Sequence, residues 1–197
     1  MSWASNSAAY TAFRNRIGID STRLSDAEVA AALAGALDRI SNHFPSVTNA
    51  TLTNQSAKRI DLSTITDDRI ILAAEVPLDE DPRRFRFFYQ EEDGYIRMPD
   101  YQPSAESVRI WYTKTWLIST LPNDLNEDCL TAAIAFGLTK QQIEAMTKWS
   151  VGSDADWGRA LAAMIKDARD EWKDRARELR NRAASRLAAY AATHGKF

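Results

Sequence analysis

Residues that commonly carry catalytic or metal chemistry are few in this chain. Its 197 residues include one cysteine, Cys129, and two histidines, His43 and His194. One cysteine excludes an intrachain disulfide, and three such ligands far apart in sequence do not form a four-ligand Cys/His zinc site. A Ser-His-Asp or Cys-His catalytic group would depend on one of the two histidines. We therefore predict that the chain is not an enzyme and holds no metal or cofactor.

Two acidic clusters supply the densest carboxylates, at Asp79-Glu80-Asp81 and Glu91-Glu92-Asp93. Neither has the alternating ligand spacing and terminal glutamate of a calcium loop, so we interpret both as solvated turns at strand ends. A hydrolase whose two carboxylates lie far apart in sequence remains an alternative. The chain contains no GxxxxGK[ST], GxGxxG, GxSxG or HExxH motif, which are the common signatures of phosphate binding, acyl transfer and zinc proteolysis.

Helix signals occur at both ends of the chain. A capping box at Ser25–Glu28 begins a helix that ends before Pro45, and Thr139–Gln142 looks like a second capping box. Near the end of the first of these helices, we interpret His43 as a favourable positive charge at a helix C-terminus. Cys129 lies on the apolar face of a helix opened by Pro122 and Asn126, where we predict that it is buried.

The last predicted helix, from Asp154 to Ala192, has the longest apolar stripe. Its members recur at spacings of three and four: Trp157, Leu161, Ile165, Ala168, Trp172, Ala176, Leu179, Ala183, Leu187 and Tyr190. Such a helix is about 58 Å long at about 1.5 Å per residue, longer than a small domain. We therefore expect its second half either to fray or to pack against another chain.

Between Ile60 and Trp116 the apolar period changes to two, which predicts four or five strands. A turn at Glu91–Gly94 with a return strand indicates hairpins, so we predict an antiparallel sheet. The fold class is therefore α+β: a helical bundle with a long C-terminal amphipathic helix and an inserted small antiparallel β-sheet. The predicted segments are N-terminal helices at 1–48, the β-domain at 49–120, helices completing the bundle at 121–172, and a basic docking helix at 173–197.

Charge is divided along the chain. The segment Lys173 to Phe197 has seven Lys/Arg against Asp174 and Glu178, which gives +5. Because the whole chain carries −2, the remainder carries −7. A basic helix on an acidic body indicates either an acidic partner surface or a nucleic-acid backbone, although a solvated helix face also fits the pattern.

Aromatic residues are concentrated in the predicted sheet, with arginines between them. They are Phe85, Phe87, Phe88, Tyr89, Tyr95, Tyr101, Trp111, Tyr112 and Trp116, interleaved with Arg84, Arg86, Arg97 and Arg109. This composition suits a base-stacking platform, and it also suits a small sheet that buries aromatics on both faces. A nucleic-acid-binding module that uses the aromatic sheet or the basic C-terminal helix is therefore the alternative function.

Two features bear on the cellular location. The longest nearly apolar run, Val29 to Leu37, is about half of the roughly 18 residues that span a bilayer. Met1 to Phe13 has no Lys or Arg and no apolar core of a signal peptide. We therefore predict no membrane segment and no secretory signal.

The order of these elements resembles that of the head-tail connector, or adaptor, proteins of tailed bacteriophages, in the version with a β-domain between helices. The segments that carry the resemblance are Ile60–Ser63, Tyr95–Pro99, Ser107–Lys114, Leu121-Pro122 and the Ala-rich Thr131–Gly137. These motifs are structural, and they extend in order over most of the chain.

The resemblance implies a structural virion protein that forms a ring, usually of twelve copies, under the portal protein. Such a ring extends the DNA channel, lets DNA pass without sequence-specific binding, and gives a platform for stopper or tail-completion proteins. It implies a location at the virion neck, and in the host cytoplasm during assembly. Since the C-terminal segment commonly reaches the portal in this family, the docking residues expected here are Arg175, Arg177, Arg180, Arg182, Arg186, Leu187, Tyr190 and Phe197.

Overall fold

The computed structural model describes residues 3, 5–65, 70–78, 84–91, 94–148 and 155–194. These residues form helices and antiparallel sheets, so the predicted α+β class with a long C-terminal helix is confirmed. The chain divides into two compact units. The helical unit comprises 1–44 and 116–182, and the sheet unit comprises 45–115 and 183–197.

Five α-helices occur in the described part of the chain. They are α1 (Asn6–Ile17), α2 (Asp26–His43), α3 (Asn126–Phe136), α4 (Lys140–Lys148) and α5 (Ala155–His194). Two short 3-10 turns, Ile118–Thr120 and Asn123–Leu125, precede α3. The sequence Gly152-Ser153-Asp154 before α5 predicts a helix break followed by an N-cap, and it lies outside the described residues.

Both predicted capping boxes are confirmed. The Ser25 hydroxyl accepts a hydrogen bond from the Glu28 amide, and the Glu28 carboxylate accepts one from the Ser25 amide at 2.8 Å. At the start of α4, the Gln142 side-chain oxygen accepts from the Thr139 amide at 2.8 Å, and the Thr139 hydroxyl accepts from the Gln142 amide at 3.2 Å. Each pair satisfies amides that a helix start leaves without an intrahelical partner, which fixes the first residue of each helix.

The core of the helical unit follows the apolar face of α2. Val29, Leu33 and Ile40 are fully buried, as is Phe13 of α1. At the C-terminal end of α3, Gly137 approaches α2 so closely that a β-carbon there would be 2.7 Å from the β-carbon of Ala32. The packing of α2 on α3 therefore depends on a residue without a side chain.

Phe44 and Trp116 contact each other at the two points where the chain leaves the helical unit for the sheet segment and returns from it. The Trp116 indole donates to the Phe44 carbonyl at 2.7 Å, and the two rings stack with centroids 6.5 Å apart. The Trp116 amide also donates to the Ser41 hydroxyl at 2.9 Å, which itself donates to the Leu37 carbonyl. These bonds join the two boundaries of the inserted sheet segment.

The described part of the sheet unit has seven strands in two antiparallel sheets. They are β1 (Ser46–Gln55), β2 (Arg59–Asp61), β3 (Ile71–Glu75), β4 (Phe85–Arg86), β5 (Tyr89–Glu91), β6 (Tyr95–Arg97) and β7 (Glu106–Lys114). One sheet has the order β1-β7-β3-β4, and the other has the order β2-β6-β5. The predicted hairpin is present, since Glu91 pairs with Tyr95 across β5 and β6.

The sheets share one hydrophobic core. Ile60 of β2 and Ile96 of β6 are fully buried together with Val108 and Ile110 of β7. Ala74 of β3 belongs to the same cluster. The alternation that predicted β7 is confirmed by this burial, because Val108 and Ile110 face the core while Arg109 between them does not.

The strand prediction was wrong in two places. β1 was missed: it lies at a sheet edge and only Leu52 in it is buried, so its apolar alternation is weak. The alternation of Phe85, Phe87 and Tyr89 with Arg84, Arg86 and Phe88 predicts one strand, whereas β4 pairs with β3 and β5 pairs with β6 in the other sheet. Between them Phe87 is 68% exposed, because the chain changes sheets there.

Candidate functional site

The C-terminal helix α5 has one buried stripe, as the spacing predicts. From Leu161 to Leu179 its members are at most 7% exposed: Leu161, Ile165, Ala168, Trp172, Ala176 and Leu179. The predicted members on either side, Trp157 and Ala183, are half-buried. The stripe continues through Lys173, where the predicted docking segment begins, and residues 155–182 of α5 belong to the helical unit. Beyond Leu179 the helix continues to His194, a further 22 Å or so at about 1.5 Å per residue.

One flank of this stripe is paired with acids of the same unit. Arg175 donates to Asp128 of α3 at 2.7 Å and to Glu171 at 2.6 Å. Arg182 forms an ion pair with Asp124, in the 3-10 turn before α3. Burial raises the pKa of the Asp128 carboxyl although Arg175 opposes that rise. This flank of α5 therefore anchors the helix to its own unit.

The predicted docking residues consequently have different surroundings. Arg175 and Arg182 take part in these internal ion pairs. Arg177 is exposed beside Asp174, 3.5 Å away, and Arg180 and Arg186 are also exposed. The remaining three, the side chains of Leu187 and Tyr190 and the whole of Phe197, lie outside the described residues.

The opposite flank of α5 carries a row of basic side chains. They are Lys166, Arg169, Lys173, Arg177 and Arg180, all exposed, and we call them the basic row. Spacings of three, four, four and three residues place successive members near one another on a helix. The sequence analysis missed this surface because it summed the charges separately before and after Lys173. The spacing of the basic residues by three and four positions could have indicated one shared helix flank.

A groove lies beside the basic row, within the helical unit. It has a volume of about 410 Å³. Its apolar lining includes Phe136, Ala162, Ile165 and Trp172, with the Phe136 and Trp172 rings edge to face at 6.5 Å. Phe136 is 38% exposed, which is unusual for a large apolar side chain in this unit. Arg169 is held at the groove by donating to the Ala135 carbonyl at 2.9 Å.

The end of α2 adds charge to this surface. The Arg39 guanidinium lies over the Phe136 ring, 4.2 Å from its centroid. His43 is half-buried, with its ring centroid 6.1 Å from that of Trp172. Burial lowers the pKa of His43 below its usual value of 6.5, and Arg180 and Arg39 lower it further. The interpretation of His43 as a favourable positive charge at the end of α2 was therefore wrong, because its surroundings favour the neutral ring.

The lowered pKa of His43 predicts a pH-dependent stability. The unfolded chain binds a proton at His43 more readily than the folded chain, so protonation favours unfolding. The contribution of the neutral His43 ring to the free energy of unfolding is fully present above pH 6.5, and it is lost as the pH falls through the lowered pKa of His43. We expect the free energy of unfolding in urea to decrease from about pH 7 to about pH 5.5, above the range where carboxyls titrate.

The two histidines allow a matched test of this effect. His43→Gln removes the titrating group and is expected to flatten the stability profile in this range. His194→Gln, near the end of α5, is expected to keep the profile of the unchanged protein. Identical profiles for the two variants would contradict the assignment to His43.

Among the described residues, no group of three or more His, Cys, Asp or Glu side chains is arranged to hold a metal ion. Cys129 is buried, as predicted, and burial raises the pKa of its thiol to about 12, so it is a poor nucleophile at neutral pH. Among the described helices, none is both long and apolar enough to cross a membrane.

The aromatic residues of the sheet unit do not share one strand face. Trp111 and Tyr112 are adjacent in β7, and Tyr112 packs against the hydrophobic core. The Arg59 guanidinium lies 3.8 Å from the centroid of Tyr95, in the other sheet. Phe87 is the most exposed large apolar side chain of the described residues. This distribution favours packing roles for most of these rings over a single stacking platform.

We compared the chain with protein-family models, with curated proteins and with solved structures, and no significant match was found in any of the three.

Proposed function

We propose that this chain is a structural adaptor of the head-tail connector kind, which acts by binding other proteins. The observation that carries the proposal is the length of α5. The helix has 40 residues, and its described buried stripe ends at Leu179 although the helix continues to His194. In the sequence, Leu187 and Tyr190 keep the stripe's spacing beyond that point. A helix with apolar positions beyond its own bundle is suited to packing against a partner.

In this proposal the chain forms a ring, of twelve copies when docked under the portal protein. Neighbouring copies contact through two different surfaces, as any closed ring requires. The C-terminal part of α5 docks on the portal, and the ring extends the DNA channel without reading the sequence of the DNA. The ring then supports a stopper or tail-completion protein at the virion neck, after assembly in the host cytoplasm.

The edge strand β1 supports an assembly role for the sheet unit. It is ten residues long, lies at the edge of the four-stranded sheet, and has no charged residue between Ser46 and Gln55. Proteins commonly protect such edges with charges or proline, because an open edge can pair with another chain. An uncharged edge of this length suits a contact with a neighbouring copy or with the next tail component.

The adaptor proposal is tested by measuring mass in solution. Light scattering is applied to the protein alone, to the portal protein of the same genome alone, and to their mixture. We expect the mixture to give a complex whose added mass corresponds to about one adaptor per portal subunit, because docking uses one C-terminal helix per copy. A chain that stays monomeric in both samples, with no co-migration, would overturn the proposal.

The basic row favours a second candidate function, nucleic-acid binding. Five exposed basic side chains on one helix flank can follow a phosphate backbone. This function predicts that DNA binding weakens steeply as salt is raised, since each phosphate contact releases counterions.

A further inference from the structure

We propose that the basic row and the groove beside it form a docking site for an acidic polypeptide segment that inserts apolar side chains into the groove. The inference goes beyond the adaptor proposal, because the site would bind such a segment in a ring component or outside one. All of its residues belong to the helical unit, on α2, α3 and α5.

The charges of the site are arranged in a line. From Lys166 to Arg180 the basic row extends over about 21 Å of helix, the length of about six residues of extended chain. Lys173 is 73% exposed and Arg177 is 72% exposed, so both remain open to a ligand while contacting Asp170 and Asp174. Such exposed pairs are weak and exchange readily for a better placed carboxylate.

The groove supplies an apolar contact beside this line. Ile165 and Trp172 lie at its floor, each 6% exposed, and Phe136 forms part of its wall. Its volume of about 410 Å³ exceeds what one large side chain needs. An apolar anchor in a pocket with charged contacts around it is the usual arrangement of a peptide-binding hot spot.

His43 lies at one end of the site, with its ring centroid 6.1 Å from that of Trp172. Burial lowers the pKa of His43 most, and the charges of Arg180 and Arg39 lower it further. Carboxylates bound beside Arg39 and Arg180 would offset those charges. Binding of an acidic segment should therefore raise the pKa of His43, which gives a readout that is independent of affinity.

Two observations favour a polypeptide over a nucleic acid. Arg39 covers one face of Phe136, so that face is closed to a stacked base. Asp170, which also lines the groove, and Asp174 lie beside the basic row, where a phosphate backbone that is charged at every nucleotide would meet them. Carboxylates separated by neutral residues can avoid these positions, and the groove accepts an apolar side chain that a backbone of phosphates does not offer.

The test uses the full chain and a labelled peptide. The probe is a fluorescein-labelled 15-residue peptide of alternating Glu and Ser with a central Leu-Trp pair, and binding is followed by fluorescence anisotropy. In the variant Lys166→Gln/Lys173→Gln/Arg180→Gln we expect affinity to fall at least tenfold. The control Arg16→Gln/Arg23→Gln/Lys140→Gln removes the same charge from exposed positions elsewhere in the helical unit, and we expect affinity within twofold of the unchanged protein.

Two further measurements separate this site from its alternatives. Replacing the Leu-Trp pair by Ser-Ser should weaken binding about tenfold, and in NMR titrations the intact peptide should raise the pKa of His43. Equal loss in both protein variants would overturn the proposal in favour of nonspecific attraction. Tighter binding of a duplex DNA of equal charge would overturn it in favour of a nucleic-acid site. A third outcome would also overturn the proposal: the unchanged protein self-associates but does not bind the peptide, and only the first variant abolishes the self-association. The surface would then bind a second copy of the chain.

Discussion

Gly137→Ala is expected to destabilise the helical unit by about 3 kcal/mol, as overpacking of a close contact does. A β-carbon at this position would lie 2.6 Å from the Ala133 carbonyl oxygen and 2.8 Å from the α-carbon of Ala32. Both atoms belong to the backbone, so neither can move without shifting a helix. The φ and ψ of Gly137, −81° and −22°, are open to alanine, and the cost therefore comes from the clash alone. Urea unfolding followed by circular dichroism measures it.

Gly35→Ala is the matched control for this prediction. Gly35 lies in the middle of α2, is exposed, and a β-carbon there meets no atom within 4 Å. Alanine in a helix interior is favoured over glycine by roughly 0.5–1 kcal/mol, so this variant is expected to gain stability. The same substitution should thus change the free energy of unfolding in opposite directions at the two positions. A neutral or stabilising effect at Gly137 would contradict the close approach of α2 and α3.

These two glycines show where sequence-based prediction stops in the helical unit. The helices themselves were predictable, because their caps and apolar spacing are local patterns: Ser25 with Glu28, or the stripe of α5. The approach of Gly137 to Ala32 joins positions more than a hundred residues apart. No local pattern distinguishes a glycine that is needed for helix packing from one that is exposed.

The sheet unit was less predictable for a physical reason. Strands facing a core on one side alternate clearly, as β7 does with Val108 and Ile110. β1 lies at an edge and buries only Leu52, so its sequence has little apolar signal. The change of sheet at Phe87 depends on the pairing partners of β4 and β5, which local alternation does not reveal.

The basic character of the candidate site was predictable from the sequence, but the residues that form the site were not. The sequence indicates that the end of the chain is basic, and the structure assigns different surroundings to each arginine. Arg175 contacts Asp128, and Arg182 contacts Asp124, both from a distant part of the chain. A sum of charges along the sequence includes Arg175 and Arg182, although both form internal ion pairs. The position of each residue around the helix separates these two arginines from the basic row.

Removal of residues 187–197 is expected to leave the helical unit folded and to abolish portal binding in the adaptor proposal. The shortened chain keeps the buried stripe to Leu179 and the ion pair of Arg182 with Asp124. It loses Leu187 and Tyr190, the two apolar positions that continue the stripe in the sequence. We expect urea unfolding of the helical signal to remain within about 1 kcal/mol, because the removed residues lie outside the helical unit. Co-migration with the portal protein should be lost.

A second truncation, removing residues 173–197, is expected to unfold the helical unit. It deletes Leu179, whose loss from a core costs about 2–5 kcal/mol, and leaves buried Asp128 without Arg175, a further cost of up to about 3–5 kcal/mol. These losses approach the whole stability of a small domain. If both truncations fold, the stripe beyond Lys173 is dispensable. If the variant that lacks residues 187–197 still binds the portal protein, the docking residues lie before residue 187. The basic row is then the surface to test next.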